Sequence, residues 1–181
     1  MLQITIPSAE LWDERAEKFI YTKEKTLQLE HSLVSLSKWE SKWNKSFLSN
    51  KEKTTEEIID YIRCMTITQN VDPEIYNRLT NKTVQEIYDY INAPMTATVF
   101  SDRGRRGGGS REAVTSELIY YWMISLNIPF ECQKWHLNRL LTLIRVCDVK
   151  NAPAKNMSKR SIMSQNAALN AARRKQHNTK G

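Results

Sequence analysis

The sequence predicts an α+β fold that is predominantly helical, with a small N-terminal antiparallel β-sheet, a helical body and a basic C-terminal extension. Apolar and polar residues alternate along residues 2–6, as in a strand with one buried face. From residue 31 onwards, apolar residues recur every three or four positions, as on one face of a helix. Residues 150–181 are polar and contain no Asp or Glu. We therefore expect a body over residues 1–149 and an extension over residues 150–181.

The N-terminal sheet is predicted from three short apolar runs. The first, over residues 2–6, ends at Pro7. The second and third cover residues 19–21 and 27–29, and the polar residues 23–25 between them are typical of a turn. Three such runs, close together in the chain, favour a small antiparallel sheet.

The first helices are predicted from stripes and caps. Apolar residues at spacings of three to four predict a helix from residue 33, with Leu33, Leu36, Trp39 and Trp43 on one face. Capping boxes, in which two side chains satisfy free backbone N–H groups at a helix start, are predicted for Thr54 with Glu57 and for Thr83 with Glu86. Between these two helices, Asp72 before Pro73 predicts the start of a short helix.

The most hydrophobic part of the sequence lies in the second half of the body. We predict a strand at residues 95–100, and then helices at 112–126 and 130–148 that turn at Ile128-Pro129. The inward face of the first helix is predicted to hold Val114, Leu118, Tyr121 and Trp122. That of the second is predicted to hold Trp135, Leu140, Leu141, Ile144 and Cys147. Residues 158–175 form a further predicted helix with a thin apolar stripe.

Composition bounds the class of protein. The chain has 181 residues, 40% hydrophobic and 26% charged, which is typical of a soluble globular domain. Its formal net charge is +7, but residues 150–181 hold eight basic groups, leaving 19 basic against 20 acidic groups in residues 1–149. The net charge therefore lies in the extension, which weakens the case for a nucleic-acid-binding body.

Membrane insertion and secretion are not predicted. The longest apolar runs fall well short of the roughly 20 residues of a membrane-spanning helix. The N-terminus lacks the basic segment and following apolar segment of a signal peptide. Three cysteines, an odd number, fit reduced thiols in a cytosol better than a disulfide framework.

Motifs for catalysis or cofactor binding are incomplete. Gly104 to Gly109 fits the glycine spacing of a phosphate-binding loop, but Ser110 stands where that motif requires lysine. Cys132 and His136, four apart on a predicted helix, are half of a zinc site and are better explained as a buried thiol and a hydrogen-bonded histidine. Glu117 near a helix start is explained by the helix dipole. We therefore predict no enzymatic activity, no cofactor and no metal.

Partner binding is the chemistry that the residues favour, and three groups are candidates for it. Trp39 and Trp43 stand among lysines and could form an aromatic and basic binding surface, although packing of both tryptophans in the core is the favoured explanation. The glycine-rich segment 102–110 and the extension both carry basic side chains. These basic candidates are Arg103, Arg105, Arg106, Lys159, Arg160, Arg173, Arg174 and Lys175.

The ligand of the basic extension stays open between three alternatives. A basic amphipathic helix can bind an acidic protein. Lysine and arginine also bind phosphates with strong salt dependence, but the extension lacks the interleaved aromatic residues that stack on bases. The third alternative is a solvated extension without a ligand.

Three stretches of the chain carry a resemblance to a known family. They are residues 29–43 (LEHSLVSLSKWESKW), 117–123 together with 128–141 (ELIYYWM and IPFECQKWHLNRLL), and 169–175 (LNAARRK). In these stretches the chain resembles the tail assembly chaperones of tailed bacteriophages, small proteins encoded in the tail-morphogenesis region. The glycine segment 104–109 belongs to no motif of that family.

The resemblance implies a non-catalytic role in the host cytoplasm. Such chaperones bind the long helical tape-measure protein, or other tail proteins, and keep it soluble while the tail tube polymerises. Two other interpretations stay open: a structural virion protein such as a head–tail joining component, and a DNA-binding packaging or regulatory factor. Self-association is a further possibility, and presence in the mature virion is left undecided.

Overall fold

The computed structural model of the protein describes residues 1–13, 17–100, 113–152 and 159–177. The chain divides into two compact units, Met1–Asp148 and Val149–Gly181. The fold is α+β and mainly helical, with N-terminal antiparallel strands, as predicted. None of the described helices is both long and apolar enough to span a membrane.

The N-terminal strands form two antiparallel pairs. The first pair joins β1 (Leu2–Ile6) to β4 (Lys25–Leu29), with Ile4 opposite Leu27. The second pair joins β2 (Ala9–Asp13) to β3 (Lys18–Thr22), and β2 is not among the predicted strands. Alternate side chains of the first pair enter the core, as their period of two requires. These buried side chains are Ile4, Ile6, Leu27 and Leu29.

Helices α1 (Leu33–Trp43) and α2 (Thr55–Met65) pack against each other. The predicted box at Thr54 is present, since its hydroxyl accepts from the N–H of Glu57 and the Glu57 carboxylate accepts from the N–H of Thr54. A second box caps α1, with serines at both positions, Ser32 and Ser35. The sequence did not reveal this box, because its second member is neither Glu nor Gln.

The next elements are a 3-10 helix (Pro73–Arg78) and α3 (Asn81–Asn92). Asp72 caps the former, as predicted, by accepting from the N–H of Glu74. The predicted cap at Thr83 is wrong, because Thr80 caps α3 and Thr83 lies inside its first turn. Ile87 and Tyr90 face the core from α3.

The second half of the body corrects three predictions. Residues 95–100 form no strand in the described structure. Helix α4 spans Ser116–Ser125, and Ile119 and Met123 are its buried apolar residues, whereas Tyr121, predicted to face inward, is exposed. The predicted helix at 130–148 is a 3-10 helix (Phe130–Lys134) followed by α5 (Leu137–Asn151).

A long-range backbone contact accounts for the late start of α5. His136 forms an isolated antiparallel bridge with Ser32, and the N–H of Leu137 donates to the carbonyl of His31 over 2.7 Å. This pairing holds the chain extended just before Leu137, so the helix begins only after it. Leu137, Leu140 and Ile144 of α5 are buried in the core.

The second unit contains α6 (Lys159–His177). Residues 163–177 of this helix are exposed, including Met163 and also Leu169, a member of the predicted thin apolar stripe. Among the residues whose burial the structure describes, the hydrophobic core runs from Ile4 to Ile144 and lies in the first unit.

Candidate partner-binding surfaces

The two tryptophans of α1 are mainly structural. Trp39 is 1% exposed and donates its indole N–H to the carbonyl of Glu57 over 2.9 Å. Trp43 stacks on it at 6.1 Å between ring centroids and donates to the Asp60 carboxylate over 2.9 Å. Trp39 is therefore buried in the core, as the core-packing alternative expected, whereas Trp43 is only half-buried.

The lysines beside these tryptophans are paired with buried carboxylates of α2. Lys42 lies 2.5 Å from Asp60, and Lys45 lies 2.5 Å from Glu57. The hydrogen bond from Lys45, with a further one from the N–H of Thr54, lowers the pKa of Glu57. Burial opposes ionisation of Asp60, but hydrogen bonds from Lys42 and Trp43 outweigh it and lower its pKa. The basic and aromatic segment of α1 therefore holds α1 to α2.

Buried Glu40 connects α1 to the start of α4, a role that the sequence did not predict. One carboxylate oxygen accepts from the N–H of Phe47 over 2.9 Å, and the other accepts from the N–H of Ser116 over 2.7 Å. Ser46 adds a hydrogen bond from its hydroxyl to the carbonyl of Val114. These contacts fix the loop after α1 against the N-terminus of α4, where free N–H groups and the helix dipole favour a carboxylate.

A cluster of buried histidines lies between β4, α2 and α5. His31 is 2% exposed, its Nδ1 lies 2.6 Å from the Tyr61 hydroxyl, and its ring lies 5.1 Å from the His136 ring. His136 donates from Nε2 to the carbonyl of Tyr90, and its Nδ1 accepts from the N–H of Asn138. Both nitrogens of neutral His136 are thus satisfied by protein groups.

The structure corrects the helix placement on which the zinc alternative for Cys132 and His136 depended. The two residues lie in separate elements, Cys132 in the 3-10 helix and His136 just before α5, rather than on one helix. In residues 1–13, 17–100, 113–152 and 159–177, no three His, Cys, Asp or Glu side chains are grouped as metal ligands.

A groove runs along the flanks of α4 and α5. Its central part has a volume of about 460 Å³ and includes Leu48, Val114, Trp122 and Leu141 in its lining. The next part, about 390 Å³, shares Trp122 and Leu141 with the first. It continues to Leu126, Ile144, Arg145 and Asp148. Because Trp122 and Leu141 line both parts, the two depressions adjoin, and together they are named the groove, with a mainly apolar floor.

Helix α4 also has an apolar face outside this groove. Seven of its ten residues are apolar or aromatic, so it cannot bury all of them against one core. Tyr121 is 63% exposed and Ile124 is 60% exposed. Phe130, also exposed, follows on the next element.

The structure places the predicted basic residues in different situations. Arg103, Arg105 and Arg106 lie outside the described residues, and so do the side chains of Lys159 and Arg160 at the start of α6. The remaining three are exposed in the last turns of α6: Arg173, Arg174 and Lys175.

Comparison of the chain with protein-family models, with curated proteins and with solved structures finds no match.

Proposed function

We propose that this protein is a non-enzymatic phage assembly protein, a tail assembly chaperone that binds the helical tape-measure protein during tail morphogenesis. The observation that carries the proposal is the apolar surface of α4, where Tyr121 and Ile124 are more than half exposed beside an apolar groove. Contiguous exposed apolar surface on a folded protein marks a site of interaction.

The buried ionisable groups support a binding role over a catalytic one. The carboxylates of Glu40, Glu57 and Asp60 are held by internal N–H groups and lysines. Both buried histidines bond to protein groups. These interactions account for the buried charges as structural links between helices, without assigning them to a substrate.

A chaperone of this kind acts on a partner that would otherwise aggregate. A tape-measure protein is a long helix whose apolar face is uncovered until the tube forms around it, and an apolar groove can cover such a face in the helix-in-groove manner. The chaperone would work in the host cytoplasm and leave before the particle is complete.

Co-expression tests the proposal. We expect the tape-measure protein of the same phage to be soluble and to co-purify with this chain when the two are co-expressed, and to be insoluble when expressed alone. The matched control is the double variant Tyr121→Ser/Ile124→Ser, which removes exposed apolar area while leaving the buried face of α4 unchanged. Equal solubility of the tape-measure protein with and without this chain would refute the chaperone function.

The basic helix α6 favours a second candidate function. Its 19 residues include no acidic group, and Arg173, Arg174 and Lys175 are exposed at its end. A DNA-binding packaging or regulatory factor would lose affinity for duplex DNA steeply between 50 and 200 mM salt, as counterion release requires. A head–tail joining protein would instead be detected by mass spectrometry in purified particles, where a chaperone is absent.

A further inference from the structure

The groove of α4 and α5 continues past its central part toward α1. A third depression, of about 320 Å³, shares Ser49 and Ala113 with the central part. It is lined also by Lys45, Lys51 and Lys53. Each depression therefore shares lining residues with the next, and all three lie in the first unit. Helix α4 alone has ten residues and is about 15 Å long, so a groove along its flank can seat nearly three turns of another helix.

The floor of the groove is chemically suited to the apolar stripe of a helix. Its apolar side chains are only partly buried within the fold, so a partner would remove further apolar area from water. Residues recurring at i, i+4 and i+7 on a partner helix would follow such a line of contacts. The floor residues with this character are Leu48, Val114, Trp122, Leu126 and Leu141.

The two ends of the groove differ in charge. At the α1 end, Lys45 is paired with Glu57, which leaves Lys51 and Lys53 against the single carboxylate of Glu52. The Lys53 ammonium lies 4.8 Å from the Phe47 ring centroid and is held near the groove by the carbonyl of Ser49. A ligand that binds at this end therefore needs negative charge to complement the excess of positive charge on the protein.

At the other end the charges balance, because Arg145 and Asp148 both line the groove. The Arg145 guanidinium lies 4.1 Å from the Phe100 ring centroid. A ligand with carboxylates would therefore gain at the lysine end and gain little at this end. The charge distribution selects both the kind of charge on the partner and its position.

We propose that this groove binds the apolar stripe of an amphipathic helix that carries carboxylates at the end lying next to Lys51 and Lys53. The inference rests on the proposed function in so far as that helix belongs to the tape-measure protein. It adds the partner's required chemistry and separates the groove from the exposed face of Tyr121 and Ile124.

Synthetic peptides test the inference directly. We would use 18-residue helical peptides with leucine at i, i+4, i+7 and i+11, carrying three glutamates at the first or the last turn, and lysine counterparts of both. The full-length protein is expected to bind one glutamate peptide at least tenfold more tightly than its lysine counterpart, measured by fluorescence anisotropy. Equal affinity for the glutamate and lysine peptides would overturn the inference.

Variants locate the binding. Ser125 lines the groove but is exposed, so Ser125→Arg should block the groove without disturbing the fold, and Leu141→Glu should place a charge on its floor. Both should lower affinity at least tenfold, with far-UV circular dichroism as the folding control. Tyr88→Ser removes an exposed aromatic side chain of α3 that does not line the groove, so this variant should bind as the wild type does. Unchanged binding by a folded Ser125→Arg variant would overturn the inference even if Leu141→Glu fails to fold.

The charge requirement has its own test. The double variant Lys51→Glu/Lys53→Glu should reverse the preference between glutamate and lysine peptides, whereas Lys82→Glu at the exposed start of α3 should leave it unchanged. Co-expression then separates the two proposals. If Ser125→Arg still solubilises the tape-measure protein, the groove inference fails and the chaperone function stands. If the peptides bind as expected but the wild type does not solubilise the tape-measure protein, the chaperone function fails.

Discussion

Buried His31 should make the folded protein sensitive to mild acid. Burial, reinforced by the neighbouring His136, lowers the pKa of His31 to about 3. In the unfolded chain a histidine titrates near 6.5. Below pH 6.5 the unfolded chain therefore binds a proton that folded His31 does not. For this reason the free energy of unfolding decreases as the pH decreases below 6.5, and the protein has the full stability contributed by neutral His31 only above pH 6.5.

The magnitude follows from the separation of the two pKa values. Because pH 5 lies about 1.5 units below the pKa of an unfolded histidine, His31 of the unfolded chain is almost fully protonated at that pH, whereas His31 of the folded protein is still neutral. At 1.36 kcal/mol per unit, His31 alone costs about 2 kcal/mol of stability between pH 7 and pH 5. His136, whose pKa is also lowered by burial, adds to this loss. Carboxylates contribute little in this window, because their unfolded pKa values lie near 4.

Urea unfolding at pH 7 and pH 5, followed by tryptophan fluorescence, measures the effect. The variant His31→Asn keeps a polar group facing Tyr61 and should lose much of the pH dependence, even though it starts from a lower stability. The control His177→Asn replaces an exposed histidine of α6 and should retain the wild-type pH dependence. The reasoning is refuted if the wild type is equally stable at the two pH values, or if His31→Asn shows the full wild-type loss.

Three further predictions concern stability. Glu40→Gln leaves one of two buried backbone N–H groups without an acceptor and should cost about 2 kcal/mol in urea unfolding, whereas Glu52→Gln at an exposed position should cost almost nothing. Thr54→Ala removes the cap of α2 and should cost about 1 kcal/mol, with Thr55→Ala in the same turn as the neutral control. Deleting residues 150–181 should leave the urea midpoint of the body unchanged, because the buried core ends upstream at Ile144; a large drop would show that the extension packs as part of the core.

Local signals in the sequence predicted the elements whose causes are local. The cap at Thr54 needs only two side chains three residues apart, and Pro73 needs only its own missing N–H. Thr83 shows where such signals mislead, because Thr80 three residues earlier offers the same hydroxyl and lies where the chain is still extended. Because Thr80 and Thr83 can each cap a helix, the sequence alone does not identify the residue at which α3 begins.

Contacts between distant residues could not be predicted. Glu40 meets the N–H of Ser116, 76 positions away, and His136 pairs with Ser32 through the backbone, which leaves no pattern in side-chain composition. The start of α5 depends on that pairing. For this reason, sequence periodicity placed the start of this helix several residues too early.

The most useful error concerns the inward face of α4. Periodicity identifies an inward face only when the other faces are polar, and α4 is apolar on most of its circumference. From the sequence alone, Tyr121 and Ile119 are therefore equally good candidates for a buried position, and the structure buries Ile119. A helix that is apolar on most of its circumference and packs at the surface cannot bury all of its apolar side chains in one core. The apolar area that stays exposed to water favours the binding of a partner that covers it.

The tryptophans give the opposite lesson. Trp39 and Trp43 stand among lysines, a composition that suggested a binding surface, but the lysines neutralise buried carboxylates and the indoles bond to α2. This internal network holds α1 on α2, and Glu40 at the end of α1 then fixes the start of α4. The cluster of lysines and tryptophans thus positions the wall of the groove. The groove itself is lined in part by residues that periodicity predicts to face the core, namely Val114, Trp122, Leu141 and Ile144.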